Sequence, residues 1–379
     1  MRSGLSREEV EKEIKALVDT LFANIPSGVG SHRKDLKLTQ RELAKVLRDG
    51  VHWAIENGFG TDEDLEHIEG RGQIQDADPE RVSDRAMERG RGQLGTLGSG
   101  NHFVEVGYVE EVYDEDVARA LGLERNLSTV LIHTGSRGLG HQVCDDYIKI
   151  MLGASEKYGI ELPDPQLCCA PIDAPEGRDY LAAMAAAANF AFVNRQMITH
   201  WVRETFEQVF KKGPRDLGLE LIYDVCHNMA KIETHEVDGE KRRLCVHRKG
   251  ATRAFPPGHP DIPKEYREIG QPVLIPGDMG RCSYVLVGTE RGFRETFGST
   301  CHGAGRVMSR HQAIKAAKGR SIARELEGRG IVVRGASRGT LVEEIPEAYK
   351  DVNDVVNVVH EAGIARKVVR LRPLGVIKG

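Results

Sequence analysis

Apolar positions recur at helical spacing near the start of the chain. Val10, Ile14, Leu17, Val18, Leu21 and Phe22 fall on one face of a helix. Ser6-Arg7-Glu8-Glu9 opens it as a capping box, and Pro26 and Gly28 end it. A second capping box, Thr39-Gln40-Arg41-Glu42, opens a helix that runs to Gly58. The pattern then shifts to short β-branched runs. Phe103–Val109, Thr129–Ile132, Leu219–Cys226, Leu244–His247, Val273–Ile275, Ser283–Val287 and Val368–Leu371 are predicted strands. Between them lie a long predicted helix from Asp179 to about Lys212 and another from Gly305 to Leu326. Helices and strands do not alternate as regular βαβ units. The pattern predicts an α+β fold, with mixed or antiparallel sheets layered against flanking helices.

The length of 379 residues allows two or three domains. No repeat, low-complexity stretch or linker divides the chain, so one domain over residues 1–379 is expected. The formal net charge of −4 excludes a whole-molecule basic field, and a nucleic-acid partner needs a local basic surface. Seven cysteines without a Cys-x-x-Cys pair predict reduced thiols and a cytoplasmic protein. The first 25 residues carry charges throughout and lack a signal-peptide core. The apolar run Leu181–Val193 is shorter than the roughly 20 residues of a membrane span, so no membrane partner is expected.

Candidate chemistry gathers where histidines adjoin glycines or strand ends. Ser299-Thr300-Cys301-His302-Gly303-Ala304-Gly305-Arg306 sets an imidazole among small residues that expose backbone N–H groups. The predicted helix after it offers an N-terminus to phosphate oxygens. His302 is therefore a candidate nucleophile toward phosphorus, although this octapeptide alone also fits an ordinary tight turn. His102, His133 and His227 share the strand-edge context and are candidate metal ligands. The Gly135–Gly140 spacing is wrong for a dinucleotide-binding turn, and Arg137 between glycines suggests anion contact. Asp278 in Pro276-Gly277-Asp278-Met279 is a candidate acceptor for a base or ribose, and Lys249 sits in a short basic loop.

Taken in order, the motifs form a more specific pattern. Gly-Ser-Gly-Asn-His-Phe-x-Glu ends at Glu105, and His-Thr-Gly-Ser-Arg-Gly-x-Gly-His starts at His133. His227-Asn228, Pro276–Met279 and Cys301–Arg306 follow, and the chain closes on Leu374–Gly379. From about Leu17 to Gly379 the chain resembles the RtcB family of RNA-splicing ligases. The resemblance implies an enzyme of tRNA splicing and RNA repair that uses GTP and Mn²⁺. It would join RNA 3′-phosphate or 2′,3′-cyclic phosphate ends to 5′-hydroxyl ends through a histidine–GMP intermediate. It implies His302 as the guanylylated residue and His102, His133 and His227 as metal ligands. It implies guanylate contacts from Asn101, His102, Phe103, Val104, Glu105, His227, Asn228, Pro276, Gly277, Asp278, Met279, Ser283, Gly303, Ala304, Gly305 and Lys378. Arg137, Lys249 and Arg310 are the implied RNA or phosphate contacts. Broken RNA such as tRNA exon halves is the implied partner, with an archease-like protein as activator.

One departure is visible. The family carries an upstream Asp-x-Gly-Cys-Gly-Met motif whose Asp and Cys complete a two-manganese site. Met1 falls where the last residue of that motif would stand. The expectation is a version lacking the N-terminal portion of the family domain, with an incomplete metal site and impaired activity. A metal-dependent phosphoesterase and a non-catalytic nucleotide- or RNA-binding remnant are the alternatives.

Overall fold

The computed structural model describes residues 1–33, 35–36 and 38–379. Its strands are β1 (Arg2–Ser6), β2 (Phe103–Val112), β3 (Leu127–His133), β4 (Asn228–Val237), β5 (Glu240–Lys249), β6 (Ala251–Arg253), β7 (Pro272–Ile275), β8 (Ser283–Gly288), β9 (Ser299–Cys301), β10 (Val332–Gly335) and β11 (Ala365–Lys378). Seven form the main sheet, in the order β1-β3-β2-β11-β8-β7, with β10 also on β11. The β10–β11 pair is parallel and every other pair in the sheet is antiparallel. The α+β expectation is met.

β11 is 14 residues long and organises the sheet. One edge follows β2 from Val369 to Lys378. The other edge pairs with β8 over Ala365–Leu371 and with β10 over Gly375–Lys378. The register places Lys378 opposite Phe103, and Phe103 opposite His133. Three adjacent strands thus deliver a lysine, an aromatic ring and a histidine in one row at one sheet end.

The opposite face of β2, with Val104 and Val106, packs on a helical layer. At the centre of that layer is the helix Pro175–Phe210, 36 residues long. It packs against the helices Arg7–Asn24, Gln40–Asp49, Val51–Glu56 and Arg137–Lys157, so nearly every side chain from Ala183 to Thr199 is buried. Alanine at 183 and 185–188 lets those neighbours approach closely.

Both predicted capping boxes are present, at Ser6/Glu9 and Thr39/Glu42. Strands β1, β4, β6, β9 and β10 were not predicted, and other elements differ from expectation. The second helix stops at Asp49 and restarts at Val51, because Gly50 takes φ +57, a left-handed conformation. The run Leu219–Cys226 forms no ladder and makes only isolated bridges, from Glu220 to Arg2 and from Asp224 to Ile68. Residues 305–326 are not one helix: Ser309 caps a short helix at Arg310–Ala316, Gly319 breaks the chain at φ +81, and a second short helix, Ile322–Glu327, follows. The helix Arg137–Lys157 was not predicted, since Gly138 and Gly140 weaken the helical pattern in its first turn.

β4 and β5 pair only with each other, forming a hairpin with Asp238-Gly239 at its tip. Both tip residues have positive φ, +54 and +78, as a two-residue turn of right-handed twist requires.

Candidate active site

The long helix holds the histidine-bearing segments from beneath. Asn194 Oδ1 accepts the Thr96 N–H at 3.1 Å, and its Nδ2 donates to Thr96 O at 3.2 Å and Gly135 O at 3.1 Å. Next to it, Arg195 donates to Thr134 O at 3.2 Å and to Asp224 Oδ1 at 2.6 Å. Two consecutive residues thereby fix the loop before His102, the loop after His133 and the segment before His227. All three anchoring residues, Asn194, Arg195 and Asp224, are buried. Glu69 completes the support: it accepts the Cys226 N–H at 2.9 Å and pairs with Lys231 at 2.6 Å and Arg253 at 3.1 Å. Burial alone would raise its pKa, but the two cations pull it down to about 2.

The four motif histidines lie in a row. Ring centroids are 6.2 Å apart for His102–His133, 5.2 Å for His133–His227 and 4.5 Å for His227–His302. His133 Nε2 and His227 Nε2 face each other at 3.1 Å. Burial, then neighbouring cations and imidazoles, lowers the pKa of His102 to about 3 and that of His227 to about 4; His133 is held well below its ordinary value and His302 is lowered, again chiefly by burial. Each ring is thus pushed toward the uncharged form that can bind a metal or attack phosphorus, and of the facing His133 and His227 Nε2 atoms one donates to the other. His227 Nδ1 is buried without a hydrogen-bond partner among the described residues. The donor chemistry suits a divalent transition metal. No group of three His, Cys, Asp or Glu closes on one point among the described residues, so the expected three-histidine set forms an open row and not a finished ligand sphere.

His302 is carried by β9, whose Cys301 pairs with Ala251 of β6. Gly250 (φ +68) lies across from it, where a Cβ would come within 3.8 Å of the His302 ring. The helix expected directly after this motif begins only at Arg310, so no helix N-terminus adjoins His302. Two cavities meet here. The smaller, about 270 Å³, is lined by Asn101, Phe103, Glu105, Pro276 through Met279, Ser283, His302 through Gly305, Arg310 and Lys378. The larger, about 870 Å³, holds His133, His227, Asn228 and Lys249 as well as His302.

Within the smaller cavity Glu105, Asp278, Ser283 and Lys378 are buried and tied, while Asn101 and Arg310 are exposed at its rim. Ser283 Oγ donates to Glu105 Oε1 at 3.2 Å. Burial pushes the Glu105 carboxyl up to about 7. Asp278 accepts from Gly280 N at 2.9 Å and pairs with Arg281 at 2.8 Å, while burial raises its pKa. Lys378 donates to Gly100 O at 3.2 Å and lies 3.5 Å from Glu344.

Three sequence candidates line neither cavity. The Val104 side chain points to the helical layer, because alternate residues of β2 face opposite ways; only its backbone is near the site. His102 forms the end of the row farthest from His302 and lines neither cavity, its Nδ1 3.5 Å from Thr134 Oγ1. Arg137 donates to Gly28 O, Ser31 Oγ and Thr96 Oγ1, each at 3.1 Å, and has no carboxylate partner among the described residues.

Sequence reasoning missed the Asn194–Arg195 clamp and Glu69. It also missed the cluster of Arg306, Glu344 and Tyr349 beside Lys378, in which Arg306 pairs with Glu344 at 3.0 Å and the Tyr349 hydroxyl contacts Glu344. Polar residues at Asn189, Asn194 and Arg195 inside an alanine-rich helix were the available signal, since a buried polar group needs a partner.

A family model described as tRNA-splicing ligase RtcB matches residues 1–379. The tRNA-splicing ligase RtcB of Archaeoglobus fulgidus is 58% identical over 379 residues, covering all of this chain and 78% of that protein. That of Thermococcus kodakarensis is 57% identical over 379 residues, with the same coverage of 100% and 78%. That of Methanocaldococcus jannaschii is 57% identical over 379 residues, covering 100% of this chain and 39% of the relative.

Proposed function

The chain belongs to the RtcB family, and from that premise we propose that it is a GTP-dependent RNA ligase acting on broken RNA, including the exon halves of tRNA splicing. The observation that carries this reading is the position of His302, which lines both a nucleoside-sized cavity and the larger histidine-walled one.

The small cavity receives guanosine. The Glu105 carboxyl, held by Ser283, faces the N–H donors of the guanine edge, and the Phe103 ring and Met279 supply apolar contact. Gly303, Ala304 and Gly305 let the α-phosphate approach the backbone, with Lys378 and Arg310 offsetting phosphate charge. Neutral His302 attacks the α-phosphorus: an N–P bond forms as the P–O bond to pyrophosphate breaks. An RNA 3′-phosphate oxygen in the larger cavity then takes the GMP, and His302 is released. The 5′-hydroxyl oxygen attacks the activated 3′-phosphorus: the new O–P bond forms as the P–O bond to GMP breaks, GMP leaves with the electron pair, and the hydroxyl proton passes to solvent. A 2′,3′-cyclic end is first opened by water.

His133 and His227, with His102 next to His133 in the row, would hold manganese. Bound there, the metal supplies Lewis-acid withdrawal of charge from phosphoryl oxygens. Arg137 and Lys249 are proposed anion contacts. Residues 1–379 act as one catalytic domain in the cytoplasm, in keeping with seven free cysteines and with no described helix long and apolar enough to cross a membrane.

The test is ligation of a labelled RNA 3′-phosphate strand to a 5′-hydroxyl strand. Joined product that requires GTP and Mn²⁺ is expected. Cyclic-phosphate opening without joining, independent of GTP, would mark a phosphoesterase instead.

A further inference from the structure

We propose that the outer face of the β4–β5 hairpin is a track for the RNA backbone, leading the strand into the cavity at His302. This rests on the ligase reading and adds to it the surface on which the substrate lies.

Directly opposed residues of an antiparallel pair share a face. The register puts Asn228/Lys249, Ala230/His247, Ile232/Cys245, Thr234/Arg243 and Glu236/Lys241 on one side. The other side carries Met229, Val246, His235 and Arg248, which are buried; the first set faces outward except at Ala230, which is buried at the base of the hairpin. Lys241, Arg243, His247 and Lys249 are all exposed. They stand on one face of β5, about 6.8 Å apart for Lys241–Arg243 and His247–Lys249 and about 13.6 Å for Arg243–His247, where Cys245 intervenes, at 3.4 Å per residue. The shorter step is of the same order as that between successive phosphates of an extended single strand.

The track has a direction. Lys249 lines the large cavity together with His227 and His302. From there the row runs outward to Lys241, about 27 Å along the strand. Three Lys or Arg side chains oppose one carboxylate on this face, Glu236. The salt bridges of the hairpin are made by Lys231, His235, Arg242 and Arg248, which belong to the inner face. The outer cations are left unpaired among the described residues. Ile232, 39% exposed, sits mid-track and offers an apolar seat for a base. Since the whole protein is acidic, a local basic row that ends at the reactive histidine is the feature a polyanion would follow.

The experiment measures binding of a 3′-phosphorylated single strand of about ten nucleotides and of a 3′-phosphorylated dinucleotide, over a range of salt. Lys241→Gln/Arg243→Gln should bind the long strand about tenfold more weakly. It should flatten the log–log salt slope by roughly 1.4, about 0.7 for each cation removed. The dinucleotide cannot reach these residues, so its binding should match wild type. Glu236→Gln should tighten the long strand, a gain that misfolding cannot produce. Unchanged long-strand affinity and slope in the double variant would overturn the track. Competition by poly-glutamate as strong as by RNA would also overturn it, in favour of an acidic protein partner. Wild-type protein is tested in parallel for a GMP adduct: an adduct with a failed track removes only the surface, whereas no adduct removes the ligase reading beneath it.

Discussion

The Pro175–Phe210 helix passes beneath the histidine row and the β4–β5 hairpin ends at it, and they are built on opposite principles. The helix works from inside the protein. Asn194 and Arg195 are buried, each engages several fixed partners, and together they hold the segments of His102, His133 and His227. The hairpin works from outside. Its inner face is pinned by Arg248 on Glu233 at 2.7 Å and Lys231 on Glu69 at 2.6 Å, while its outer cations stay in solvent. A reacting constellation needs fixed geometry, which buried and satisfied hydrogen bonds provide. A surface that accepts any RNA sequence needs charge, and charge works without fixed geometry.

Breaking the inner support should have the largest effect. Arg195→Met leaves Asp224 buried without its cation, and a loss of about 3–5 kcal/mol in denaturant unfolding is expected. Adding Asp224→Asn should restore part of it, because the stranded charge is gone. Asn194→Leu strands the buried Thr96 N–H and should cost about 1–3 kcal/mol. If these variants unfold like wild type, the clamp is not what holds the histidine loops.

Acid should act next, through Glu69. Its folded pKa of about 2 lies below that of an unfolded glutamate, about 4.3. Between those values the unfolded chain takes up the proton and the folded protein does not. The ionised carboxylate therefore contributes its full stability above about pH 4.3, and that contribution is lost as the pH falls toward 2. Glu69→Gln should be less stable at pH 7 and show a flatter fall across that window. Parallel stability curves would contradict the assignment. The smallest effect is expected on the hairpin's outer face, where Arg243→Gln should change unfolding by less than about 0.5 kcal/mol. A larger loss would mean that this face carries structure as well as charge.

The same contrast explains what could be read from the chain. Ser6/Glu9 and Thr39/Glu42 were legible because a cap is decided by residues three apart. The histidine motifs were legible because glycine and histidine neighbours advertise irregular backbone at strand ends. Leu219–Cys226 looked like a strand by composition, but a ladder needs a partner, and its neighbours at Arg2 and Ile68 each supply only one bridge. The hairpin had a local signal that went unread, Asp238-Gly239 between two runs of strand-forming residues. The clamp had almost none. Asn194 meets Thr96 across 98 positions and Arg195 meets Asp224 across 29, and such pairings exist only once the helix has packed. Nor could the order of the histidine row be read, since it depends on the register Phe103–His133 and on the β6–β9 pairing.

The central claim is that His302 is the nucleophile that carries GMP between the two cavities. Intact mass of the protein after incubation with GTP and Mn²⁺ tests it most directly. The account predicts an increase of one GMP that is acid-labile, maps to the peptide containing His302 and is absent from His302→Ala. An adduct that persists in His302→Ala, or maps to another residue, would contradict it.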